Sequence, residues 1–182
     1  MLKNYQVVIV GGGPAGMSAL LWCHSVGLSA VMLERKKELG GQMLEMFHKT
    51  DDYPGLSELT GRELRDHFES HLRKLNLEWR VGCEVSEINA CERQVVCDDE
   101  VLKAYALILA TGARTRKLNV PGEDEFAGSL VSYSGMGDKE KFAGRSVCVI
   151  GGGDSAFDDC LLLAAVCPQV ILIHRSENFR AR

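Results

Sequence analysis

Hydrophobic and polar positions follow the same order twice along this chain. From Val7 an apolar run (VVIV) leads through three glycines and a helical stretch to a second apolar run (AVMLE) that ends before Arg35. The same order begins again at Val147, 140 positions later, and closes with the run VILIH before Arg175. A short apolar run, a glycine turn, a helix and another apolar run are typical of a β-α-β unit. The sequence therefore predicts two such units.

The segment between the repeats predicts further elements. Over residues 60–75 the hydrophobic positions recur with the period of an amphipathic helix, which places leucines and a phenylalanine on one face. Short alternating runs near residues 77–81, 84–89 and 94–97 predict a small antiparallel β-meander. The uninterrupted apolar run from Tyr105 to Ala110 then predicts the third parallel strand, covered on both faces.

A polar and basic segment over residues 113–124 separates the repeats and predicts a linker, because it contains a Pro-Gly pair. We place the domain boundary after residue 117, which gives a first domain of residues 1–117 and a second of residues 118–182. The second copy supplies two clear strands, whereas a doubly wound nucleotide domain normally has about four or five. The predicted fold class is α/β, with two Rossmann-like βαβ domains, a β-meander in the first and an incomplete second domain.

The glycines of both repeats have the spacing of a phosphate-binding loop. The first glycine allows a tight turn, the third lets the backbone approach a pyrophosphate, and the last position is small enough for close helix packing. The amides at the helix N-terminus then face the phosphates. Glycines also serve ordinary turns, but their repetition in the same context favours nucleotide binding. These positions are Gly11, Gly13 and Gly16 in the first copy and Gly151, Gly153 and Ala156 in the second.

The two copies differ at the tip of the second strand. The carboxylate of Glu34 can accept hydrogen bonds from both hydroxyls of an adenosine ribose and repels a 2′-phosphate, which predicts FAD or NAD in the first copy. His174 takes its place in the second copy, and Arg175 and Arg180 follow, which are donors suited to a phosphate. The second copy is therefore predicted to bind NADP. The alternative is that both arginines only pair with Glu177 or with solvent.

Composition limits the function without deciding it. The chain has 182 residues, of which 46% are hydrophobic and 25% charged, which is ordinary for globular proteins. Its net charge of -4 gives no support to binding of nucleic acid or an anionic membrane. The sequence shows no signal peptide and no apolar run of transmembrane length. We expect a cytoplasmic protein without a nucleic-acid or membrane partner.

Cysteine and histidine positions give no metal-binding spacing. The seven cysteines are scattered and never form CxxC. Cys23, Cys148 and Cys160 fall in apolar patterns and are predicted to be buried small hydrophobic residues. His67 and His71 are four apart on a polar helix with no third ligand nearby, so no metal site is predicted.

Phrases along essentially the whole chain resemble the thioredoxin reductase family of flavoproteins, which have two dinucleotide-binding domains. They are VVIVGGGPAGMSAL, the LGGQ loop, YPG, LILATGA, VPGE, GGGDSAFDD and HRSENFRA. The resemblance implies FAD in the first domain and NADPH in the second. The residues it implies for FAD are Gly11, Gly13, Pro14, Ala15, Gly16, Glu34, Arg35, Gly41, Gln42, Asp52, Val85, Thr111, Gly112 and Ala113. Those it implies for NADPH are Gly151, Gly153, Asp154, Ser155, Ala156, His174, Arg175 and Arg180.

The chain departs from this family at the redox-active dithiol. The family has CxxC in a phrase such as VSYCATCDG, whereas this chain reads VSYSGMGDK, with Ser134 and Gly137 at the thiol positions. Without a thiolate, mixed-disulfide chemistry is not available. The pattern is more similar to the ferredoxin/flavodoxin NADP reductases that lack CxxC and have an aspartate at the position of Asp158. In those proteins hydride passes from NADPH to flavin and electrons leave to a protein acceptor, so no catalytic acid or base is expected.

Two further departures concern NADP preference and length. Ser176 stands where the family commonly has a second arginine, which weakens the expected preference for NADP. Family members are longer and usually homodimers, so we expect a C-terminally truncated fragment with uncovered sheet edges and apolar surface, and a homodimer at full length. Three functions stay open: a ferredoxin reductase-type enzyme, a related oxidoreductase with another acceptor, and a nucleotide-binding module without turnover.

Overall fold

The computed structural model of the protein describes residues 3–46, 49–50 and 53–181. The chain divides into two compact units, Met1–Ala113 and Arg114–Arg182. The division falls at the start of the predicted linker, slightly before the predicted domain boundary. Each glycine motif therefore lies in a unit of its own.

The first unit contains one mixed sheet whose strand order is β3-β2-β1-β6-β5-β4. Its strands are β1 (Lys3–Val10), β2 (Ala30–Glu34), β3 (Glu78–Val81), β4 (Val85–Asn89), β5 (Gln94–Cys97) and β6 (Glu100–Leu109). Its helices are α1 (Pro14–Ser25), a 3₁₀-helix (Gly41–Glu45) and α2 (Gly61–Lys74). Thr60 and Glu63 form a capping box at the start of α2, which satisfies two of its free amides.

The prediction that residues 77–81 belong to the meander is wrong. These residues form β3, which pairs in parallel with β2 and places Trp79 opposite Met32. A parallel neighbour requires a crossover connection, and α2 supplies it between the two strands. The strand predicted as the third parallel strand is therefore the fourth, β6. It is also longer than predicted, because its first residues pair antiparallel with β5 while its later residues run parallel to β1.

The core of the first unit lies on both faces of β1. Val7 and Ile9 pack with the helices, whereas Val8 and Val10 pack with the meander, as the two-residue period of a strand requires. Ile9 is fully buried. Burial of such a side chain stabilises the fold by about 1.5–3 kcal/mol, so this central strand fixes the position of the glycine loop that follows it.

The prediction that this strand, β6, is covered on both faces is wrong. The side chains of Tyr105 and Leu109 are 75% and 63% exposed. The expectation that this chain leaves apolar surface uncovered is therefore confirmed at this strand. The apolar run indicates a parallel strand. Whether its side chains are exposed depends on which other elements pack against the sheet, and the run itself does not specify these elements.

The second unit contains a two-stranded parallel sheet in the described residues. Its elements are α3 (Lys139–Phe142), β7 (Ser146–Ile150), α4 (Asp154–Ala164) and β8 (Gln169–Ile173). Helix α4 connects the two strands, so the predicted β-α-β unit is present. The prediction that Cys148 and Cys160 are buried is wrong, since Cys148 is exposed and Cys160 half-buried. Because side chains alternate between the two faces of a strand, Cys148 lies on the same uncovered face of the sheet as the partly exposed Ile171 and Ile173.

The cysteines of the first unit include a pair that the sequence pattern did not predict. Cys83 and Cys97 are joined as a disulfide with their Cα atoms 5.9 Å apart, which is within the usual range. Cys23 is buried as predicted. Across the described part of the chain, no helix combines the length and the apolar character needed to cross a membrane.

Candidate dinucleotide sites

The first glycine loop joins β1 to α1 and leaves no room for side chains at two positions. Gly11 has a φ of +113°, and a Cβ there would lie 2.2 Å from the carbonyl oxygen of Ala110. A Cβ on Gly16 would lie 1.8 Å from the carbonyl oxygen of Gly11. Both positions require glycine, the first for the turn and the second for close packing of the helix on that turn.

Glu34 is held at the tip of β2 against this loop. One carboxylate oxygen accepts the amide hydrogen of Gly12 at 2.7 Å, and the other accepts that of Lys36, also at 2.7 Å. The side chain is 8% exposed. A carboxylate offers about four lone-pair sites, so two remain for further donors such as ribose hydroxyls. The carboxylate is thus fixed in orientation and retains accepting capacity.

Other residues predicted for the first site lie around the mouth of the same loop. A Cβ on Gly41 would lie 2.9 Å from the Cα of Gly13, so the LGGQ segment approaches the glycine loop closely. The side-chain amide of Gln42 donates to the carbonyl oxygen of Ala113 at 3.3 Å. Thr111 and Gly112 are exposed next to it. Three segments far apart in sequence therefore meet at one place.

The remaining predicted residues of this site are less closely connected. Pro14, Ala15 and Arg35 are exposed beside the loop and the strand tip, and Val85 is half-buried at the start of β4. Asp52 lies outside the described residues.

The second glycine loop joins β7 to α4 and repeats the contact seen in the first. A Cβ on Gly152 would lie 2.4 Å from the His174 ring, just as one on Gly12 would lie 2.8 Å from the Cβ of Glu34. Beside it, apart from the adjoining residues, no described atom lies within 4 Å of the Cβ position of Gly153. The loop therefore has an open face next to the strand tip. Asp154, Ser155 and Ala156 begin α4 at this loop.

The segment after β8 folds back over this loop. The ring of Phe179 stacks on His174 with centroids 5.4 Å apart, and Ser176 Oγ lies 2.8 Å from His174 Nε2. The amide of Arg180 donates to the carbonyl oxygen of Gly152 at 2.7 Å. His174 is thereby fixed between the loop backbone and an aromatic ring.

Arg175 and Arg180 have exposed side chains near this tip. Among the described residues no ion pair joins either guanidinium to Glu177, and both side chains are exposed to solvent, which was the other part of that alternative. The backbone contact of Arg180 with the glycine loop brings two predicted residues of the site together. Ser176, noted in the sequence only as a missing arginine, contributes a hydrogen-bond partner for His174.

Hydrogen bonds to carboxylates order the loop over residues 134–137, the segment where the resemblance stated above would place a dithiol. Burial raises the pKa of Asp159, opposed by hydrogen bonds from the amides of Gly135 and Met136. The pKa of Asp138 is lowered by its hydrogen bond with Lys141 and then by that from Ser132, whose Oγ lies 2.7 Å from the carboxylate. The loop thus has an ordered conformation without a thiol.

Glu123 organises the linker, which the sequence pattern did not reveal beyond the phrase VPGE. Its carboxylate accepts hydrogen bonds from the amides of Leu118 and Asn119, at 2.8 and 2.6 Å. The Tyr133 hydroxyl donates to it at 2.5 Å. This hydrogen bond lowers the pKa of Glu123 and raises that of Tyr133 to about 12.

Two glycine loops with side chains of opposite character at their strand tips define a dinucleotide-binding α/β protein. The model of the pyridine nucleotide-disulphide oxidoreductase family matches residues 5–182, and the chain belongs to this family of FAD- and NAD(P)-binding oxidoreductases. It is similar to thioredoxin reductase of Bacillus subtilis (strain 168), with 37% identity over 99% of this chain and 57% of that protein.

Two further similarities extend over almost the whole chain. The crystal structure of Lactococcus lactis thioredoxin reductase matches with a TM-score of 0.82 and 34% identity, over 98% of this chain and 58% of that one. A 34.2 kDa protein in the rubredoxin operon of Clostridium pasteurianum is 29% identical over 99% of this chain and 58% of its own length. The chain thus spans somewhat more than half the length of the curated relatives it matches.

Proposed function

We infer that the first unit binds FAD, that the second binds NADPH, and that the protein passes hydride from NADPH to the flavin and electrons on to a protein acceptor such as ferredoxin or flavodoxin. The observation that carries this proposal is the equivalent placement of Glu34 and His174 against the middle glycine of each loop. A bound flavin supplies the conversion of a hydride into single electrons. The chain's own residues bind and orient the two nucleotides.

In the first unit the fixed carboxylate selects the ribose. Its bonds to the amides of Gly12 and Lys36 hold it at the strand tip, where its free lone pairs meet neutral hydroxyls. A 2′-phosphate has a charge of about -1.5 to -2 and would be repelled by the Glu34 carboxylate. FAD, whose adenosine has free hydroxyls, satisfies both conditions, and the backbone of Gly13 is positioned to approach its pyrophosphate.

In the second unit hydrogen-bond donors replace that acceptor. Arg175 and Arg180 provide positive charge, and the ring of His174 is held by stacking and by Ser176. Charge-assisted hydrogen bonds from guanidinium groups to phosphate are about twice as strong as neutral ones. The open face at Gly153 leaves room for the pyrophosphate. These features support NADPH over NADH.

The acceptor is inferred from the ordered loop over residues 134–137. A chain without thiols at Ser134 and Gly137 has no dithiol there to form a mixed disulfide with thioredoxin. A carrier that takes single electrons from the flavin needs no such dithiol. The relative named for its place in a rubredoxin operon is consistent with an acceptor of this kind.

The proposal is tested with the purified protein in anaerobic solution. We expect flavin absorbance, rapid bleaching by NADPH, slower bleaching by NADH, and electron transfer to ferredoxin or flavodoxin but not to thioredoxin. Reduction of a quinone, oxygen or a small disulfide instead of these carriers would indicate a related oxidoreductase with another acceptor. A protein that binds both nucleotides and never bleaches would be a binding module and would contradict the proposal.

A further inference from the structure

Cys83 and Cys97 join the segment between β3 and β4 to the end of β5. Cys83 follows β3 after a turn at Gly82, and Cys97 ends β5. The two residues are 3% and 1% exposed and are joined as a disulfide. Their Cα separation of 5.9 Å allows the bond to form or open without displacement of the backbone.

Cys83 is in direct contact with the tip of β2. The amide of Cys83 donates to the carbonyl oxygen of Glu34 at 3.0 Å, and the amide of Gly82 donates to that of Lys36 at 2.8 Å. The Glu34 carboxylate in turn holds the amide of Gly12. Hydrogen bonds therefore connect Cys83 to the strand tip, and the strand tip to the glycine loop.

We propose that Cys83 and Cys97 form a reversible thiol–disulfide couple that stabilises the Glu34 strand tip, so that oxidation of the pair strengthens dinucleotide binding by the first unit. The link to binding rests on the proposed function, in which this tip receives the adenosine ribose. The ribose is remote from the reacting ring of a flavin. The couple therefore acts on affinity and not on electron transfer.

The redox step is balanced with simple reagents. With hydrogen peroxide, two S–H bonds break, one S–S bond forms, and the peroxide is reduced to two molecules of water. In the reverse direction dithiothreitol attacks through its thiolate and leaves as the cyclic disulfide, while both cysteines gain protons. The sulfur atoms are reached by local opening of the turns at Gly82 and at Asp98 and Asp99, which are exposed on either side.

The chain offers a matched control in the same hairpin. Cys91 is exposed and free, whereas the pair is buried. The double variant Cys83→Ser with Cys97→Ser removes the couple, and Cys91→Ser removes one thiol without touching it. The variants are purified as the full chain, and each is studied after peroxide and after dithiothreitol treatment.

Three measurements are made on each sample: alkylated thiols counted by intact mass in denaturant, melting temperature, and affinity for FAD by fluorescence quenching. We expect five free thiols after peroxide and seven after dithiothreitol in the wild-type chain. The oxidised chain should melt several degrees higher. Its FAD affinity should be about tenfold higher, as expected if the reduced tip adopts the binding geometry only about one time in ten. Cys91→Ser should keep both differences, and the double variant should lose them.

The outcomes separate the couple from the proposed function. Seven free thiols after peroxide, or zinc held by the two thiolates together with the nearby Asp98 carboxylate, would overturn the couple. Equal FAD affinity in both redox states would overturn the link to the strand tip. Absence of FAD binding in both states would contradict the proposed function and the affinity effect together, while the thiol count and melting temperature would still decide the couple.

Discussion

The carboxylate of Glu34 accepts the backbone amide hydrogen of Gly12 at 2.7 Å. The side chain at the strand tip and the middle glycine of the loop are therefore a single structural unit, in which the tip residue determines the charge next to the loop backbone. In the second unit His174 lies against Gly152 in the corresponding place, so that an imidazole ring stands where the first unit has a carboxylate. We propose that this exchange, together with Arg175 and Arg180, underlies the selectivity between free and phosphorylated ribose.

Replacement of Glu34 by glutamine should weaken binding of ADP and relax discrimination against a 2′-phosphate. The variant loses a negative charge and an accepting site, which corresponds to about 1–2 kcal/mol, or about tenfold in affinity. Isothermal calorimetry with ADP and with 2′-phospho-ADP measures both effects. Glu87→Gln, at an exposed position of β4, should change neither affinity. If E34Q binds ADP as tightly as the wild type, Glu34 does not contact the ribose.

Replacement of both Arg175 and Arg180 by alanine should reduce NADPH affinity and spare NADH. Each guanidinium bond to a phosphate contributes about 1.5–3 kcal/mol, so the double variant should lose tenfold or more for NADPH. Binding is followed by nicotinamide fluorescence. Arg145→Ala provides the control, because Arg145 precedes β7 and lies at the opposite end of that strand from the glycine loop. Equal weakening for both nucleotides would show that the arginines do not read the 2′-phosphate.

Substitution of Gly11 by alanine should destabilise the first unit strongly. The new Cβ would lie 2.2 Å from the carbonyl oxygen of Ala110, and the backbone there has a positive φ. A cost of about 3 kcal/mol or more is expected from clash and strain combined. Gly27→Ala is the control. Gly27 has a φ of +76°, but apart from the adjoining residues no described atom lies within 4 Å of the new Cβ, so this variant measures the backbone strain without a clash. Urea denaturation should therefore show a much larger loss for Gly11→Ala, and equal losses would refute the predicted clash.

The hydrogen bond between Tyr133 and Glu123 should be visible in an alkaline titration. It raises the pKa of Tyr133 to about 12, so its stabilising effect is complete below about pH 10 and is lost as the pH rises through the folded value. Tyrosinate absorbance of the wild type and of Glu123→Gln provides the test. Removal of the carboxylate should move one tyrosine titration downward toward pH 10, and identical curves would exclude the bond in solution.

The parts of this protein that depend on local pattern follow directly from its sequence. Both β-α-β units, the positions of Gly11 and Gly16 and the strand tip at Glu34 are examples, because each is encoded by period, size or charge within a few residues. The parallel pairing of β3 was missed, since a short strand has the same pattern in either direction and only the crossover through α2 decides it.

Contacts between distant segments were the hardest to predict. The pairing of Cys83 with Cys97 depends on the register of β4 and β5, which places Val85 opposite Cys97, and no spacing rule predicts it. The exposure of Cys148 depends on which layers cover a sheet face, which the alternation of a strand leaves undetermined. The bonds that order Glu34 come from backbone amides, which every residue type except proline provides, so the sequence does not reveal them.

The assignment of one nucleotide class to each strand tip is tested most directly by two-dimensional NMR of the chain during titration with ADP and with 2′-phospho-ADP. We expect ADP to shift the amide signals of Gly12 and Gly13 first, and 2′-phospho-ADP to shift those of Gly152 and Gly153 while leaving the first pair in place. The reverse pattern, or equal response of both loops to both ligands, would contradict selection by Glu34 and His174.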